Sequence, residues 1–291
     1  MIFAKGLGVP EGPVLLPDNS WVCVEMSADR GCVSHISADG KTIRMIAKTG
    51  RPNGLAVDKD GFMWVAESSE PSLLRLSMDG EVEVFLTACN GDPFLFPNDL
   101  AFGPDGALYL TDSGVKFEEF APGGQVRPDY LTLDFDGRVY RIDIQTKEIR
   151  KLDTGIQFTN GIAFDAENNL YANETLTGDI FRYPWQDGQV GGREYFGNVI
   201  APDAPEGFKG PDGMKFGENG RLYVAVFTQG DVTVLDPDGA VVERIKTEGN
   251  LPTNLAFGPR GSQEIYVTED EIGTLEVFKV GTDGLPLHTG A

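Results

Sequence analysis

One short pattern recurs six times along this chain and constrains its fold more than any other feature. An oxygen-bearing side chain is followed at once by a short apolar run and then by a turn rich in Gly, Asp or Asn. The pattern reads EGPVLL, PNGLAV, PNDLAF, TNGIAF, PDGMKF and TNLAF. Its marker residues are Glu11, Asn53, Asn98, Asn160, Asp212 and Asn254, at intervals of 42, 45, 62, 52 and 42 residues. The unit from Pro52 to Leu86 is the most legible. Short strands are expected at Gly54–Val57, Phe62–Ala66, Leu73–Leu76 and Val82–Leu86, with turns at the KDG stretch, at Ser68–Pro71 and at Asp79–Gly80. Apolar alternation broken by such turns is the signature of an antiparallel meander. Six such units predict an all-β, six-bladed β-propeller with four antiparallel strands per blade.

The ring has to close. The last unit supplies LAF, EIYVTE and LEVFKV, which is three strands, so the N-terminal stretch Ile2–Lys5 is expected to add the fourth. Closure of this kind removes exposed sheet edges. The whole of 1–291 is then expected to form one propeller domain. The widest interval contains Gly114–Thr132, an insertion with no counterpart in the other units and with Phe117, Phe120 and Tyr130 as apolar anchors. Long insertions of this kind serve as lids or pack on their own blade.

Bulk properties exclude several classes. A chain of 291 residues can bury a sizeable core without covalent staples. Its net charge of −21 repels phosphate backbones, so nucleic acid is not an expected partner, whereas cations would be drawn in. Three cysteines with no CxxC spacing do not make a disulfide framework. No apolar run approaches a membrane span and the N-terminus lacks a signal-peptide pattern, so a cytoplasmic protein is expected. With only His35 and His288 available, neither at the start of a unit, a Ser-His-Asp or Cys-His site and a histidine-based zinc site lack their ligands. The GKT at Gly40–Thr42 lacks the upstream glycine of a P-loop, and the DxDG-like pieces lack the spacing of a calcium loop.

The markers themselves have two readings. Asn and Asp are common before strands for conformational reasons alone. As a set, two carboxylates and several carboxamides without His or Cys suit a hard divalent cation such as Ca²⁺, Mg²⁺ or Mn²⁺. In a propeller the inner strands line the channel, which would bring these side chains together near one mouth.

The segments EGPVLL, RPNGLAV, FPNDLAFGPDGALYLTDSG, FTNGIAF and GPDGMKF resemble the SMP-30/gluconolactonase/luciferin-regenerating enzyme family over nearly the whole chain. That resemblance implies one divalent metal, Ca²⁺ first with Mg²⁺, Mn²⁺, Zn²⁺ or Fe²⁺ as alternatives. It implies Glu11, Asn160 and Asp212 as ligands and Asp212 as general base. Asn98 would touch metal or substrate, and Asn53 and Asn254 would contact substrate or water. A small-molecule lactone, or an organophosphate as in some relatives, is the implied substrate, opened by water. Family members that act on sugar lactones carry Arg where this chain has Phe96, which implies a less polar substrate lying against Phe96. Phe94 and Trp64 are further candidates for such an aromatic wall, with core packing between blades as their other reading. A metal-assisted isomerisation or cyclisation, and a binding propeller whose metal only plugs the channel, are the alternative functions. Oligomeric state is not legible.

Overall fold

The computed structural model describes residues 1–290. The six expected inner strands form at Pro10–Leu15, Pro52–Val57, Pro97–Phe102, Thr159–Phe164, Gly210–Phe216 and Pro252–Phe257. Each is the first strand of a four-stranded antiparallel sheet. Each inner strand packs beside the next, and Pro252–Phe257 packs beside Pro10–Leu15, which closes the ring. In the second blade the strands are Pro52–Val57, Met63–Glu67, Ser72–Leu76 and Val82–Leu86, each within two residues of its expected limits. The last blade is completed by Ile2–Lys5, antiparallel to Thr274–Lys279, as the missing strand required.

Alternate side chains of each strand enter one of two inter-blade layers, which is what period-two strands stacked face to face must do. Between the second and third blades, Trp64, Phe85, Phe102 and Leu110 fill one layer. The rings of Trp64 and Phe85 meet edge to face with centroids 4.7 Å apart. Burying an indole N–H requires an acceptor, and Asp58 Oδ2 takes it at 2.9 Å. Trp64 and Phe94 therefore belong to the core and form no part of a substrate wall.

The two long intervals have separate causes. The fourth blade carries an extra hairpin, Trp185–Gln186 with Gln189–Val190, before its outer strand Glu194–Asn198. The third carries the insertion, which forms a helical turn at Phe117–Phe120 and 3₁₀ turns at Pro122–Gly124 and Tyr130–Thr132. At the opposite face the C-terminal segment crosses the channel. Gly284 bridges to Gly217, His288 bridges to Phe102, and Lys59 N–H donates to the Thr289 carbonyl at 2.8 Å. Among the described residues no helix is long and apolar enough to cross a membrane.

Candidate metal and substrate site

Every inner strand loses regular pairing with its neighbour at its marker. The register breaks lie between Glu11 and Val14, Pro52 and Leu55, Pro97 and Leu100, Thr159 and Ile162, Pro211 and Met214, and Pro252 and Asn254. Such irregularities re-aim a side chain. Here they accompany Glu11, Asn53, Asn98, Asn160 and Asp212 into one cavity of about 760 Å³. The glycine after four of the markers has a steric cause. A Cβ on Gly12 would lie 2.8 Å from Leu55 N, and one on Gly54 would lie 2.6 Å from the Asn98 carbonyl oxygen. A Cβ on Gly161 or Gly213 would strike the Asp212 carbonyl or the Asn254 side chain. The third strand has Asp99 in this place. Its carboxylate turns back to accept from Leu100 N at 2.8 Å and from Ile162 N at 3.4 Å.

Backbone conformation separates the markers into two groups. Two residues before Glu11, Asn160 and Asp212 stand Val9, Phe158 and Gly210, with φ of 56°, 67° and 153°. The residues two before Asn53, Asn98 and Asn254 have no positive φ. A β-branched residue at positive φ is a steric outlier, and such outliers gather at functional sites. The three strands singled out are those that carry the expected metal ligands.

A second repeated device braces the approach to these strands. In five blades the second strand ends in a carboxylate that accepts a backbone N–H from just before the marker. Glu25 takes Gly8 N at 2.7 Å, Glu67 takes Arg51 N at 2.6 Å, and Glu174 takes Gln157 N at 2.6 Å. Asp112 takes Leu95, Phe96 and Gly114 N–H at 2.8 to 3.0 Å, and Glu269 takes Leu251 N at 2.8 Å. The fifth blade has Phe227 there, and its side chain lines the cavity. The signal is present in the sequence as VCVEM, WVAES, YLTDS, YANET and YVTED, outside the marker pattern.

Several oxygens at the cavity floor lack a donor. Glu11 Oε2, Asn98 Oδ1 and Asn160 Oδ1 are buried and have no hydrogen-bond partner. Asn98 Nδ2 donates to Ser113 Oγ at 2.9 Å, which leaves its oxygen as the free end. Burial, with Asp99 and Asp212 nearby, pushes the Glu11 carboxyl well above the usual carboxylate range. Burial followed by Asp99 and Asp270 does the same to Asp212, opposed by the Asn160 side chain. Buried oxygens without donors are costly, and two elevated carboxyls beside two free carboxamide oxygens fit a hard divalent ion. Among the described residues no group of three or more His, Cys, Asp or Glu could hold a metal, so any ligand set here is mixed carboxylate and carboxamide.

Asn254 departs from its expected place. Its Nδ2 donates to Glu11 Oε1 at 2.8 Å and its Oδ1 accepts from its neighbour Leu255 N at 2.8 Å. These bonds orient Glu11, and Asn254 does not line the cavity. Asn53 and Phe96 do line the cavity.

Above the floor the cavity is lopsided. Phe96, Phe120, Phe158 and Phe208 form an aromatic wall built jointly by the third and fourth blades, the insertion and the loop before Gly210. The Phe158 ring meets Phe120 at a tilt with centroids 4.9 Å apart, and Phe208 meets it edge to face at 5.1 Å. The insertion thus packs through its anchors onto this wall. Arg51, Asn53 and Asp270 also line the cavity, with the Arg51 guanidinium against the Phe117 and Phe96 rings at the edge of this wall. Neither Arg51 nor Asp270 was foreseen from the sequence. Arg51 was visible in RPNGLAV, two places before its marker, and Asp270 carried no pattern. His35 and His288 lie away from this cavity, His35 against Ser20 and His288 in the crossing segment.

Comparison with known proteins agrees with this fold. Residues 9–270 match the family model described as the SMP-30/gluconolactonase/LRE-like region. A diisopropyl-fluorophosphatase from Loligo vulgaris is 29% identical over 246 residues, covering 81% of this chain and 74% of that protein. A gluconolactonase from Zymomonas mobilis is 26% identical over 223 residues, covering 74% of this chain but only 60% of that protein. Among solved structures, a regucalcin described as a calcium-binding protein from Agrobacterium tumefaciens superposes with a TM-score of 0.80 at 18% identity. It covers 100% of this chain and 96% of that one. At that identity the likeness establishes the fold. The chain belongs to the SMP-30/gluconolactonase/luciferin-regenerating enzyme family.

Proposed function

We propose that this protein is a divalent-metal-dependent hydrolase that opens a lactone of low polarity. The observation that carries the reading is the convergence of Glu11 Oε2, Asn98 Oδ1 and Asn160 Oδ1, three buried oxygens with no donor, on the same floor as Asp212. Glu11, Asn160 and Asp212 would hold the ion, with Asn98 beside it. When bound, a divalent ion supplies polarisation of the carbonyl and stabilisation of charge developing on its oxygen.

The chain's own residues do the rest. Asp212 takes a proton from the water that attacks the carbonyl carbon, and returns one to the departing ring oxygen. Asn98, fixed by Ser113, presents its amide oxygen as an acceptor for the attacking water. Phe96, Phe158 and Phe208 exclude water and receive the apolar body of the substrate. Phe96, at the position where sugar lactonases of the family carry Arg, provides no hydrogen-bond donor for a sugar hydroxyl, which supports a substrate poorer in hydroxyls than an aldonolactone.

The test uses protein stripped with chelator, reloaded with Ca²⁺, Mg²⁺, Mn²⁺, Zn²⁺ or Fe²⁺, and assayed for acid release from sugar, alkyl and aryl lactones. We expect one ion to restore turnover, preferentially on alkyl or aryl lactones. In Asp212→Asn, kcat should fall by at least about 100-fold, with metal content measured alongside. Silence with every ion, from folded and metal-loaded protein, would transfer the site to a non-hydrolytic reaction or to a binding role. The 29% identity over 183 residues to a strictosidine synthase-like protein of Arabidopsis thaliana, together with the aromatic wall, favours the non-hydrolytic reaction of those two.

A further inference from the structure

At the edge of the phenylalanine wall the cavity holds two polar groups that the proposed chemistry does not use. Arg51 and Asn53 both come from the second blade, in the sequence RPN, and both line the cavity. Asn53 is 6% exposed and opens onto the cavity. Arg51 donates to Ser68 Oγ at 3.1 Å, and among the described residues it forms no ion pair. Its guanidinium carbon lies 3.7 Å from the centroid of Phe117 and 5.6 Å from that of Phe96. A guanidinium laid on a ring keeps its N–H donors in its own plane, at the ring's edge, in a preset fork. Desolvation lowers its pKa to about 10, so it stays charged at neutral pH.

A half-buried guanidinium with donors left free, beside an amide that opens onto the same cavity, is the kind of site that selects for an acceptor. We infer that Arg51 and Asn53 form a subsite for a carbonyl or carboxylate oxygen at the end of the substrate remote from the reacting bond. The substrate class is then a lactone with an apolar middle, lying on the phenylalanines, and one oxygen-acceptor group held by the second blade. This rests on the hydrolase reading for the word lactone, but the subsite itself does not depend on turnover. Charge-assisted bidentate bonds of this type give strong discrimination, because a substrate lacking the acceptor leaves the donors unpaired. Arg51 is in this account a specificity residue.

Three γ-lactones with side chains of equal length test the assignment, one ending in methyl, one in methyl ester and one in carboxylate. For the metal-loaded wild type, kcat/KM should be at least about tenfold higher for the ester or the acid than for the methyl compound. Which of the two leads tells a neutral carbonyl from an anion. In Arg51→Met that ratio should collapse towards one, and in Asn53→Ala it should fall severalfold. Equal rates in wild type, or a preference that survives Arg51→Met, overturn the subsite. The matching lactams, which are not opened, are titrated calorimetrically into the same proteins. If no lactone is turned over, the hydrolase reading fails while this arm still reads the subsite. The acceptor-bearing lactam should bind about tenfold tighter than the methyl lactam, and equal or undetectable binding of both overturns the inference. Should Arg51→Met not fold, Arg51→Lys keeps the charge without the fork and should reduce the preference severalfold.

Discussion

Asn254 Nδ2 donates to Glu11 Oε1 at 2.8 Å, joining the last inner strand to the first across 243 residues of chain. The bond occupies one carboxylate oxygen of Glu11 and leaves Oε2 free on the cavity floor. Partners that orient a ligand in this way are worth about 10- to 100-fold in metal affinity. Asn254→Ala should therefore weaken divalent-ion binding by about tenfold in calorimetry. Far-UV circular dichroism should stay that of the wild type. Unchanged affinity would show that Glu11 is held by its strand alone.

Cation uptake should release protons. Burial and neighbouring carboxylates raise Glu11 and Asp212 well above the usual range, so the ion-free protein retains protons there at pH values where free carboxyls would have lost them. A divalent ion needs the charged forms, so affinity should rise with pH through the raised pKa values. Titration in two buffers of different ionisation enthalpy should reveal release of up to about one proton per ion. No difference between the buffers would rule this out.

Asp112 illustrates the braces. Three backbone N–H groups converge on its carboxylate, and its removal would leave them buried without an acceptor. Asp112→Ala should cost about 3 kcal/mol, read as a lower urea midpoint with an unchanged m value. A loss under about 1 kcal/mol would mean that water replaces the carboxylate.

Asp270 gives stability a pH dependence. Burial, then Glu269, raise its pKa from the ordinary 3.8 to about 6, and Arg51 offsets part of the rise. A carboxyl raised on folding contributes stability that is complete below the unfolded pKa and is lost as pH climbs through about 6. The full shift corresponds to about 3 kcal/mol, and solvent screening at this partly open position reduces it to about 1–2 kcal/mol. Chelator-stripped Asp270→Asn should match the wild type near pH 4 and exceed it by that amount at pH 8. Parallel stability curves would exclude the effect.

The sequence by itself determined the ring. The six markers, the turns between period-two strands and the strand missing from the last unit are local or periodic properties, and they led to six blades closed by Ile2–Lys5. It also brought Glu11, Asn98, Asn160 and Asp212 to one floor, because equivalent positions of a closed repeat must meet near its axis. What it left open concerns direction. Trp64 and Phe96 are both aromatic residues near inner strands, yet Trp64 enters the inter-blade core and Phe96 the cavity. Asn53 and Asn254 occupy equivalent places, yet Asn53 faces the cavity while Asn254 is engaged by Glu11. Side-chain alternation is fixed within a strand, but the face that meets the channel depends on where pairing breaks and on which residue of the adjacent blade fills the space. Those are contacts between residues far apart in the chain, and only the closed tertiary structure decides them.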